Sequence, residues 1–363
     1  MRKHYLMIAT VMIMCMITGL LGCAELTDNL QTVMAPGGNS EEAGLDGSLP
    51  AEEKTSVMGQ LEHGPMAENI DANGFFTPLV YDGNEVDFDY YVKASGDAKN
   101  VGFLLFVDGI AQPYQIYDPV GDIEVEDNET AGTSQYLHTL QLVKDDEPYR
   151  FSFRFEPVTG RQGDSLELTV MSIYYPDFIP DMVERISYGG YHQGLSSSFP
   201  LFMSKDAVVN ERSSPYRGTV TVSQEAVTDE FLVALGDASM REITADSLAM
   251  GIYDHMSYND QVIYDSFPVA DGQEVRINYK ISGLPGIEYA ITFYVDHHPV
   301  ASAGAVSFAG TTEAGQVLSI DLMLEGAKLG ERSTFYAVAV PRNGDEADIF
   351  FDARKTSSVV LYK

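Results

Sequence analysis

The sequence predicts a mainly β fold built from antiparallel sandwiches in tandem. Two observations lead to this prediction: a series of sequence blocks occurs twice in the same order, and short stretches within each copy alternate apolar with polar residues. Alternation with period two is the pattern of strands that have one buried face and one wet face. Gly, Asp, Asn and Pro residues separate these stretches, and these residue types favour turns.

The repeat is clearest where each copy begins. The stretch 80–86, Val-Tyr-Asp-Gly-Asn-Glu-Val, matches the stretch 269–275, Val-Ala-Asp-Gly-Gln-Glu-Val. The alternation that follows in both copies involves Val86, Phe88, Tyr90 and Val92, then Val275, Ile277, Tyr279 and Ile281. Three further pairs of blocks follow in order: 103–108 with 290–296, 136–143 with 318–324, and 151–157 with 335–341. Matches in one order with similar spacing indicate two copies of one unit.

We place the first sandwich at 66–176 and the second at 267–363. Copies of about 100 residues with several strands are typical of immunoglobulin-like or fibronectin-like sandwiches. The Cys and Trp hallmarks of antibody domains are missing, because the chain has no Trp and only two Cys. The fold prediction therefore rests on pattern and size.

The region between the copies, 177–266, is either a third small β domain or extra strands of the second sandwich. The stretches 217–222 and 248–253 are predicted strands. The stretch 223–235 has apolar residues at helical spacing and is followed by Gly236, which would end a helix. Its last five residues, Phe-Leu-Val-Ala-Leu, are equally consistent with a buried strand.

Residues 1–22 have the composition of a signal peptide. A cationic start precedes an apolar run over 5–17, which is shorter than the roughly 20 residues of a membrane-spanning helix. The sequence Leu20-Leu21-Gly22-Cys23 resembles the lipobox of bacterial lipoproteins. This resemblance covers only the leader, and it implies cleavage before Cys23 and attachment of lipid, with palmitate among its acyl chains. The alternative is an ordinary secretory signal with an incidental cysteine.

We therefore expect the mature chain to stay on a membrane, outside the cytoplasm. Two acyl chains hold a protein firmly, whereas one gives only marginal binding. The location would be the outer face of the plasma membrane in a Gram-positive cell. In a Gram-negative cell it would be the outer membrane, because Ala24 is not the aspartate that this family links to inner-membrane retention. Residues 23–65 are rich in Gly, Glu, Ser, Ala and Asp and predict a disordered tether.

The composition limits the partners and the chemistry. Loss of the leader removes two of the 22 basic residues and leaves 20 against 54 acidic ones, a formal charge of −34. Such a charge repels nucleic acid. Cys15 lies in the leader and Cys23 is the lipid site, so the processed chain has no disulfide, no thiolate nucleophile and no Cys-based metal site. The partners that we expect are the membrane through the lipid, and another surface protein or a glycan.

A search of the sequence for catalytic motifs finds no Gly-x-Ser-x-Gly elbow, phosphate-binding loop, dinucleotide glycine fingerprint or His-Glu-x-x-His. A catalytic function is thereby disfavoured, and we assign no catalytic residue. The adjacent pair His297 and His298 aligns with the turn at Asp108 and Gly109, so we expect both side chains to be solvated. His138 belongs to a strand face, where a hydrogen-bonded structural role is expected.

Two groups of residues are candidates for ligand binding. The first is an acidic loop that offers oxygen ligands to calcium, the one cofactor that we consider, although a plain solvated loop explains the same charges. Its carboxylates are Asp118, Asp122, Glu124, Glu126, Asp127 and Glu129. The second group is aromatic and follows the first copy, where it would stack on a sugar, contact a protein or pack at a domain junction. It comprises Tyr174, Tyr175, Tyr188 and Tyr191.

Three functional readings follow. The first is a non-catalytic surface lipoprotein that acts in binding, adhesion or assembly, which a grooved apolar patch without a deep polar pocket would favour. The second is an accessory lipoprotein that captures a glycan or another substrate, which a cleft lined by the tyrosines would favour. The third is an extracellular hydrolase, which requires two facing carboxylates about 5 to 10 Å apart.

Overall fold

In the computed structural model the described residues are 59–118, 124–125, 134–183, 187–208, 214–239, 242–248, 251–259, 261–262, 265–270, 272–342 and 352–363. The predicted signal peptide, Cys23 and the tether up to residue 58 lie outside them, as does most of the acidic loop. Both sandwiches belong to one compact unit, Gly47–Lys363.

The first sandwich consists of two sheets. One sheet has the strand order β1, β3, β9, β6, with bounds Gly59–Pro65, Val86–Gly96, Tyr149–Phe155 and Gln115–Tyr117. The other has the order β2, β11, β10, β4, β8, β7, and β5 also pairs with β4. The bounds of these strands are Leu79–Tyr81, Ser196–Met203, Ser165–Tyr174, Asn100–Val107, Leu137–Gln141, Glu124–Val125 and Ile110–Gln112.

The second sandwich also has two sheets. One has the order β12, β20, β16, β13, β14, with bounds Gly218–Ala226, Gln316–Leu324, Val275–Ser282, Tyr253–Tyr258 and Gln261–Val262. The other has the order β15, β23, β21, β17, β18, while β19 pairs with β17 and β22 with β21. The bounds of these strands are Ser266–Pro268, Val359–Tyr362, Arg332–Pro341, Glu288–Val295, His298–Pro299, Phe308–Thr311 and Arg354–Lys355.

The two sandwiches share one immunoglobulin-like arrangement, which confirms the predicted fold class. Strands β1, β3, β9 and β6 take the places of A, B, E and D in that fold, and β4, β10 and β11 take those of C, F and G. In the second sandwich β13, β16, β20, β17, β21 and β23 take the places of A, B, E, C, F and G. The D side differs, because the strand that pairs there with β20 is β12, which precedes β13 in the chain. A short strand pairs in parallel with the last strand of each sandwich, β2 with β11 and β15 with β23.

The tether prediction is wrong for Gly59–Pro65, because these residues form β1 and pair antiparallel with β3 over their full length. Leu61 is buried in the core of the first sandwich, and the His63 ring is bonded to Tyr90 Oη at 2.8 Å. Only Leu61 and Gly64 are buried in this seven-residue segment, so its apolar alternation is a weak sequence signal, and the segment is ordered by pairing with β3.

The repeat alignment is correct at its start and wrong at its end. Strands β3 and β16 are equivalent, as are β4 and β17. The block 136–143, however, contains β8, which pairs with the C strand, whereas the block 318–324 lies in β20, which pairs with the B strand. The equivalent of β8 is β19. Because β19, Phe-Ala-Gly-Thr, has no apolar alternation, the sequence alignment skips it and all later blocks are displaced by one strand.

The connecting region is divided between the sandwiches. Its strand β11 pairs with β10 of the first sandwich, and β12 and β13 pair with β20 and β16 of the second. Of the two alternatives for 223–235, the helix is correct: helix α1 spans Asp229–Ser239. It begins six residues later than the spacing predicts and continues past Gly236. The strand predicted over 248–253 is wrong: helix α2, Ala245–Leu248, ends there and β13 begins at Tyr253.

Each sandwich has its own core, and a third apolar cluster joins them. On β4, side chains at 101, 103, 105 and 107 enter the first core, and on β17 those at 289, 291, 293 and 295 enter the second. The opposite faces of these strands meet each other. The third cluster comprises Leu104, Phe106, Ala111, Met171 and Ile173 from the first sandwich and Tyr294, Val306, Tyr336, Val338 and Val340 from the second.

The expectation of one wet face per strand is therefore wrong for β4, β10, β17 and β21, because each sandwich covers the outer face of the other. Strands that are buried on both sides read as nearly continuous apolar runs, and Phe103–Val107 is such a run. Polar contacts surround the shared cluster. Arg332 Nη1 donates to Pro180 O at 2.8 Å, and the Ala111 amide donates to Ser307 Oγ at 3.2 Å.

Candidate functional site

A cavity of about 440 Å³ opens where the two sandwiches meet. We call it the junction cavity. The first sandwich lines it with the loop between β10 and β11, and the second lines it with the segment from β22 to the start of β23. The main polar side chains of its wall are Tyr188, Tyr191, His192, Lys355, Thr356 and Ser358. This volume falls within the range of small-molecule sites in proteins.

The loop that supplies the first wall is held by backbone hydrogen bonds. The amide of His192 donates to Tyr174 O, and the amide of Tyr174 donates to Gln193 O at 2.8 Å. His192 adopts a φ of 61°, a left-handed conformation that is uncommon outside glycine and in which Asn, Asp and His are enriched. Its ring is consequently turned toward the second sandwich, where Nδ1 is hydrogen-bonded to Ser358 Oγ at 3.0 Å.

Lys355 is the one lysine or arginine among the described residues that line the junction cavity. Its Nζ donates to Ser358 Oγ at 2.9 Å and to Thr356 O at 3.1 Å, and it lies 4.4 Å from the ring centroid of Tyr336. Burial lowers the pKa of Lys355 to about 7. Within the described residues, no carboxylate lies within 4.0 Å of this ammonium group.

His192 and Ser358 are both buried, and together they link the two sandwiches. Burial, followed by the charges of Lys355 and His297, lowers the pKa of His192 to about 2. The imidazole is therefore neutral at physiological pH. Tyr188 makes a second link, because its hydroxyl is hydrogen-bonded to Thr334 Oγ1 at 2.7 Å. The wall of the cavity is thus rigidly positioned by hydrogen bonds that cross the junction.

The predicted turn is displaced by one residue, because it consists of Asp296 and His297 while His298 begins β18. His298 is exposed as expected, but His297 is not solvated as the sequence predicts. The His297 Nε2 donates to Pro176 O at 2.7 Å, since a carbonyl can only accept. Burial lowers the pKa of His297 to about 4, so the neutral ring uses Nδ1 to accept from Tyr336 Oη at 3.0 Å. The structure confirms the structural role of His138, whose Nε2 is hydrogen-bonded to Tyr114 O at 2.7 Å.

The four tyrosines of the aromatic group occupy different places. Tyr174 and Tyr188 are buried, whereas Tyr175 and Tyr191 are half-buried and their rings pack edge to face at 5.3 Å. Phe178, which the sequence analysis does not single out, stacks on Tyr191 at 4.0 Å. Packing at the junction accounts for Tyr174, while Tyr188 and Tyr191 line the cavity.

The acidic loop proposed for calcium falls mainly outside the described residues. Asp118 is half-buried at the end of β6, and Glu124 begins the two-residue strand β7, whose side chains are not described. Asp122, Glu126, Asp127 and Glu129 lie outside the described part of the chain. Among the described residues, no group of three or more His, Cys, Asp or Glu side chains has an arrangement that would hold a metal ion.

The described residues that line the cavity do not include the paired carboxylates of the hydrolase reading. Asp265 is the only acidic side chain among the described residues of its wall. No sequence motif pointed to Lys355. Its signal is the run Arg354-Lys355-Thr356-Ser357-Ser358, two cations followed by three hydroxyl groups in a strongly acidic chain, and such a run more often marks a solvated surface.

No family model matches this chain, and no curated protein matches it. Among solved structures it is similar to the C-terminal domain of the AgI/II polypeptide BspA from Streptococcus agalactiae, with 11% identity, coverage of 81% of this chain and 98% of that one, and a TM-score of 0.21.

Two further solved structures are similar to it. The C-terminal domain of the Streptococcus pyogenes antigen I/II-family protein AspA shows 9% identity, with coverage of 84% of this chain and 99% of that one and a TM-score of 0.20. A chimeric titin Z1Z2 tandem shows 14% identity, with coverage of 78% of this chain and 92% of that one and a TM-score of 0.17. TM-scores of this size carry no argument, so the fold assignment rests on the strand pairing. Within the described residues, no helix combines the length and apolar character needed to cross a membrane.

Proposed function

We propose that this protein is a non-catalytic lipoprotein of the cell surface that uses the junction cavity to capture a glycan. The observation that supports this function is the cavity itself, a polar pocket of about 440 Å³ whose wall comes from both sandwiches. Such a pocket is what distinguishes the capture reading from adhesion through a flat apolar surface.

The chemistry of the wall suits a sugar. Hydroxyl side chains at 187, 356, 357 and 358 surround the cavity together with Gln193, and these groups both donate and accept hydrogen bonds. Tyr191 presents a ring at the same wall, and aromatic rings pack on the apolar face of a sugar. The wall lacks an acid pair within the described residues, so its groups support binding rather than hydrolysis of a glycosidic bond.

The test is calorimetric titration of the full lipidated chain in detergent with a panel of mono- and disaccharides. We expect at least one sugar to bind, and Tyr191→Ala to weaken its binding about tenfold through loss of ring contact. Tyr117→Ala is the matched control, because Tyr117 is an exposed tyrosine of β6 that does not line the cavity. Equal affinity for both variants, or no sugar binding by folded protein, would reject the function and leave adhesion to another surface protein as the better account.

The lipid anchor is a separate part of the proposal. The lipobox-like sequence that ends at Cys23 supports it, and mass spectrometry of the amino-terminal peptide from cells tests it. We expect the peptide to begin at Cys23 and to carry the added mass of a diacylglyceryl group. An unmodified cysteine would favour the ordinary secretory signal.

A further inference from the structure

We propose that the junction cavity selects a sugar that carries a carboxylate, with Lys355 as the residue that binds this group. The inference rests on the proposed function, since it names the class of glycan that the same cavity takes. Its basis is the unusual surroundings of the Lys355 ammonium group, which lies against neutral oxygen atoms and an aromatic face.

Other half-buried lysines of this chain lie beside an acid. The Nζ of Lys99 is 2.7 Å from Asp145, that of Lys280 is 2.7 Å from Glu225, and that of Lys93 is 3.9 Å from Asp146. With 54 acidic residues against 22 basic ones, a carboxylate partner is the ordinary outcome for a lysine here. Lys355 differs because its partners among the described residues are Ser358 Oγ, Thr356 O and the Tyr336 ring.

An ammonium group removed from water is costly unless an opposite charge compensates it. Ser358 and Thr356 use two of its three donors, and neither brings a negative charge. A ligand carboxylate would accept from the third donor and supply that charge, and a charge-assisted hydrogen bond of this kind is about twice as strong as a neutral one.

The acidic character of the whole chain does not oppose this assignment. Charges separated by more than about 8 Å are largely screened at physiological ionic strength. The groups that decide ligand charge are therefore those of the wall, where Lys355 and Asp265 are the charged side chains among the described residues. Lys355 is hydrogen-bonded to the buried Ser358, and the neutral imidazole of His192 adds no negative charge.

The test compares acidic sugars with their neutral counterparts by calorimetry on the full lipidated chain in detergent. The probes are glucuronic acid with glucose, galacturonic acid with galactose, and N-acetylneuraminic acid with its methyl ester. We expect at least one acid to bind about tenfold or more tightly than its neutral counterpart. The variant Lys355→Met should remove this preference, and Lys355→Arg, which keeps the charge, should retain it.

Lys328→Met is the matched control, because Lys328 is an exposed lysine of the second sandwich, and it should leave both affinities unchanged. Equal binding of acid and neutral sugars, unaffected by Lys355→Met, would overturn the charge inference while the proposed function stands. If no probe binds the folded chain, both fall. Far-UV circular dichroism of each variant establishes folding. Because no carboxylate of the described residues pairs with Lys355, loss of its charge in Lys355→Met is expected to raise the melting temperature rather than lower it.

Discussion

The turn at Asp108–Gly109 and the turn at Asp296–His297 occupy equivalent places in the two sandwiches and differ in one side chain. Each is a two-residue connection, from β4 to β5 and from β17 to β18, with positive φ at both residues. This is the backbone of a type I′ hairpin, whose twist suits the flanking strands. The repeat has thus preserved the backbone and changed what it touches.

At the first turn the second sandwich lies so close to Gly109 that no side chain fits at this position. A Cβ at Gly109 would lie 2.7 Å from Ala290 Cβ and 3.1 Å from Arg342 Cγ. Asp108 beside it accepts hydrogen bonds from the Arg342 guanidinium. This side of the junction is closed and is held by an ion pair.

At the second turn there is room for a side chain, and the His297 ring extends across the junction to donate a hydrogen bond to Pro176 O. The carboxylate of Asp296 stays within its own sandwich and accepts from the Thr334 amide at 2.8 Å and from Tyr216 Oη at 2.6 Å. His297 bonds to Tyr336, whose ring lies under Lys355. The junction cavity therefore lies on the side where the turn carries His297 in place of the glycine of the first copy.

The largest effect is expected from Gly109→Val. A β-branched residue at positive φ is strained, and its Cβ meets Ala290 and Arg342, so we expect a loss of about 4 kcal/mol in the free energy of unfolding. Urea denaturation followed by circular dichroism measures it. Gly163→Val is the control, since Gly163 has a φ of 95° and no atom within 4 Å of the added Cβ. Equal losses would show that the close approach has no energetic consequence.

The second prediction concerns the loss of folding stability at acidic pH. Above pH 6.5 the His297 ring is neutral in both folded and unfolded chains. Below it the unfolded chain takes up a proton, while the folded chain resists until about pH 4, so stability is lost as the pH falls through this window. His297→Asn, which tolerates positive φ, should reduce that loss by roughly 3 kcal/mol at pH 4.

Urea denaturation at pH 7.5 and pH 4 measures this difference. His298→Asn is the comparison, because His298 is exposed and its smaller contribution should change the pH dependence less. A variant with Asn at 297 that loses as much stability in acid as the unaltered chain would contradict the buried neutral imidazole.

A smaller effect is expected from Arg342→Met. The half-buried guanidinium pairs with Asp108 across the junction and with Glu288 within its sandwich, and these bonds raise the pKa of Arg342. Its removal takes a cationic partner away from both carboxylates and should cost about 2 kcal/mol. Lys144→Met, which breaks the exposed pair with Glu147, should cost far less. A double-mutant cycle with Asp108→Asn isolates the pair, and a coupling near zero would contradict its role in closing this side.

The smallest effect is expected on the affinity of the junction cavity for an acidic sugar as the pH rises. Burial lowers the pKa of Lys355 to about 7, so above pH 7 the free protein loses the charge that an acidic sugar needs. Affinity should fall about tenfold between pH 7.5 and 8.5. The titratable rings near Lys355 do not change over this range. The imidazoles of His192 and His297 stay neutral because burial lowers their pKa, and the hydroxyls of Tyr188 and Tyr336 stay protonated because burial raises their pKa.

Calorimetric titration of the acidic sugar at both pH values measures this change. Lys355→Arg is the control, because arginine keeps its charge throughout. A fall of the same size in the arginine variant would assign the pH dependence to another group.

The strands with strong apolar alternation were predictable from the sequence. Val86–Val92 and Val275–Ile281 alternate because one side faces a core, and that pattern is local. The weak strands were not, because β1 and β19 have few apolar residues and are ordered by the strands beside them. Tyr188 and Tyr191 were correctly placed near a junction, whereas Lys355 is more than 160 positions away along the chain.

By itself the sequence determined the class of fold, the existence of two copies and the turn between the C strand and its neighbour in each, because apolar period and turn chemistry depend on neighbouring residues. Only the tertiary structure decided that the sandwiches meet face to face, that His297 reaches across them and that Lys355 is left beside neutral groups. These features require side chains from distant parts of the chain to meet. No local pattern specifies which groups surround a given lysine, since that depends on the side chains that each neighbouring strand places there.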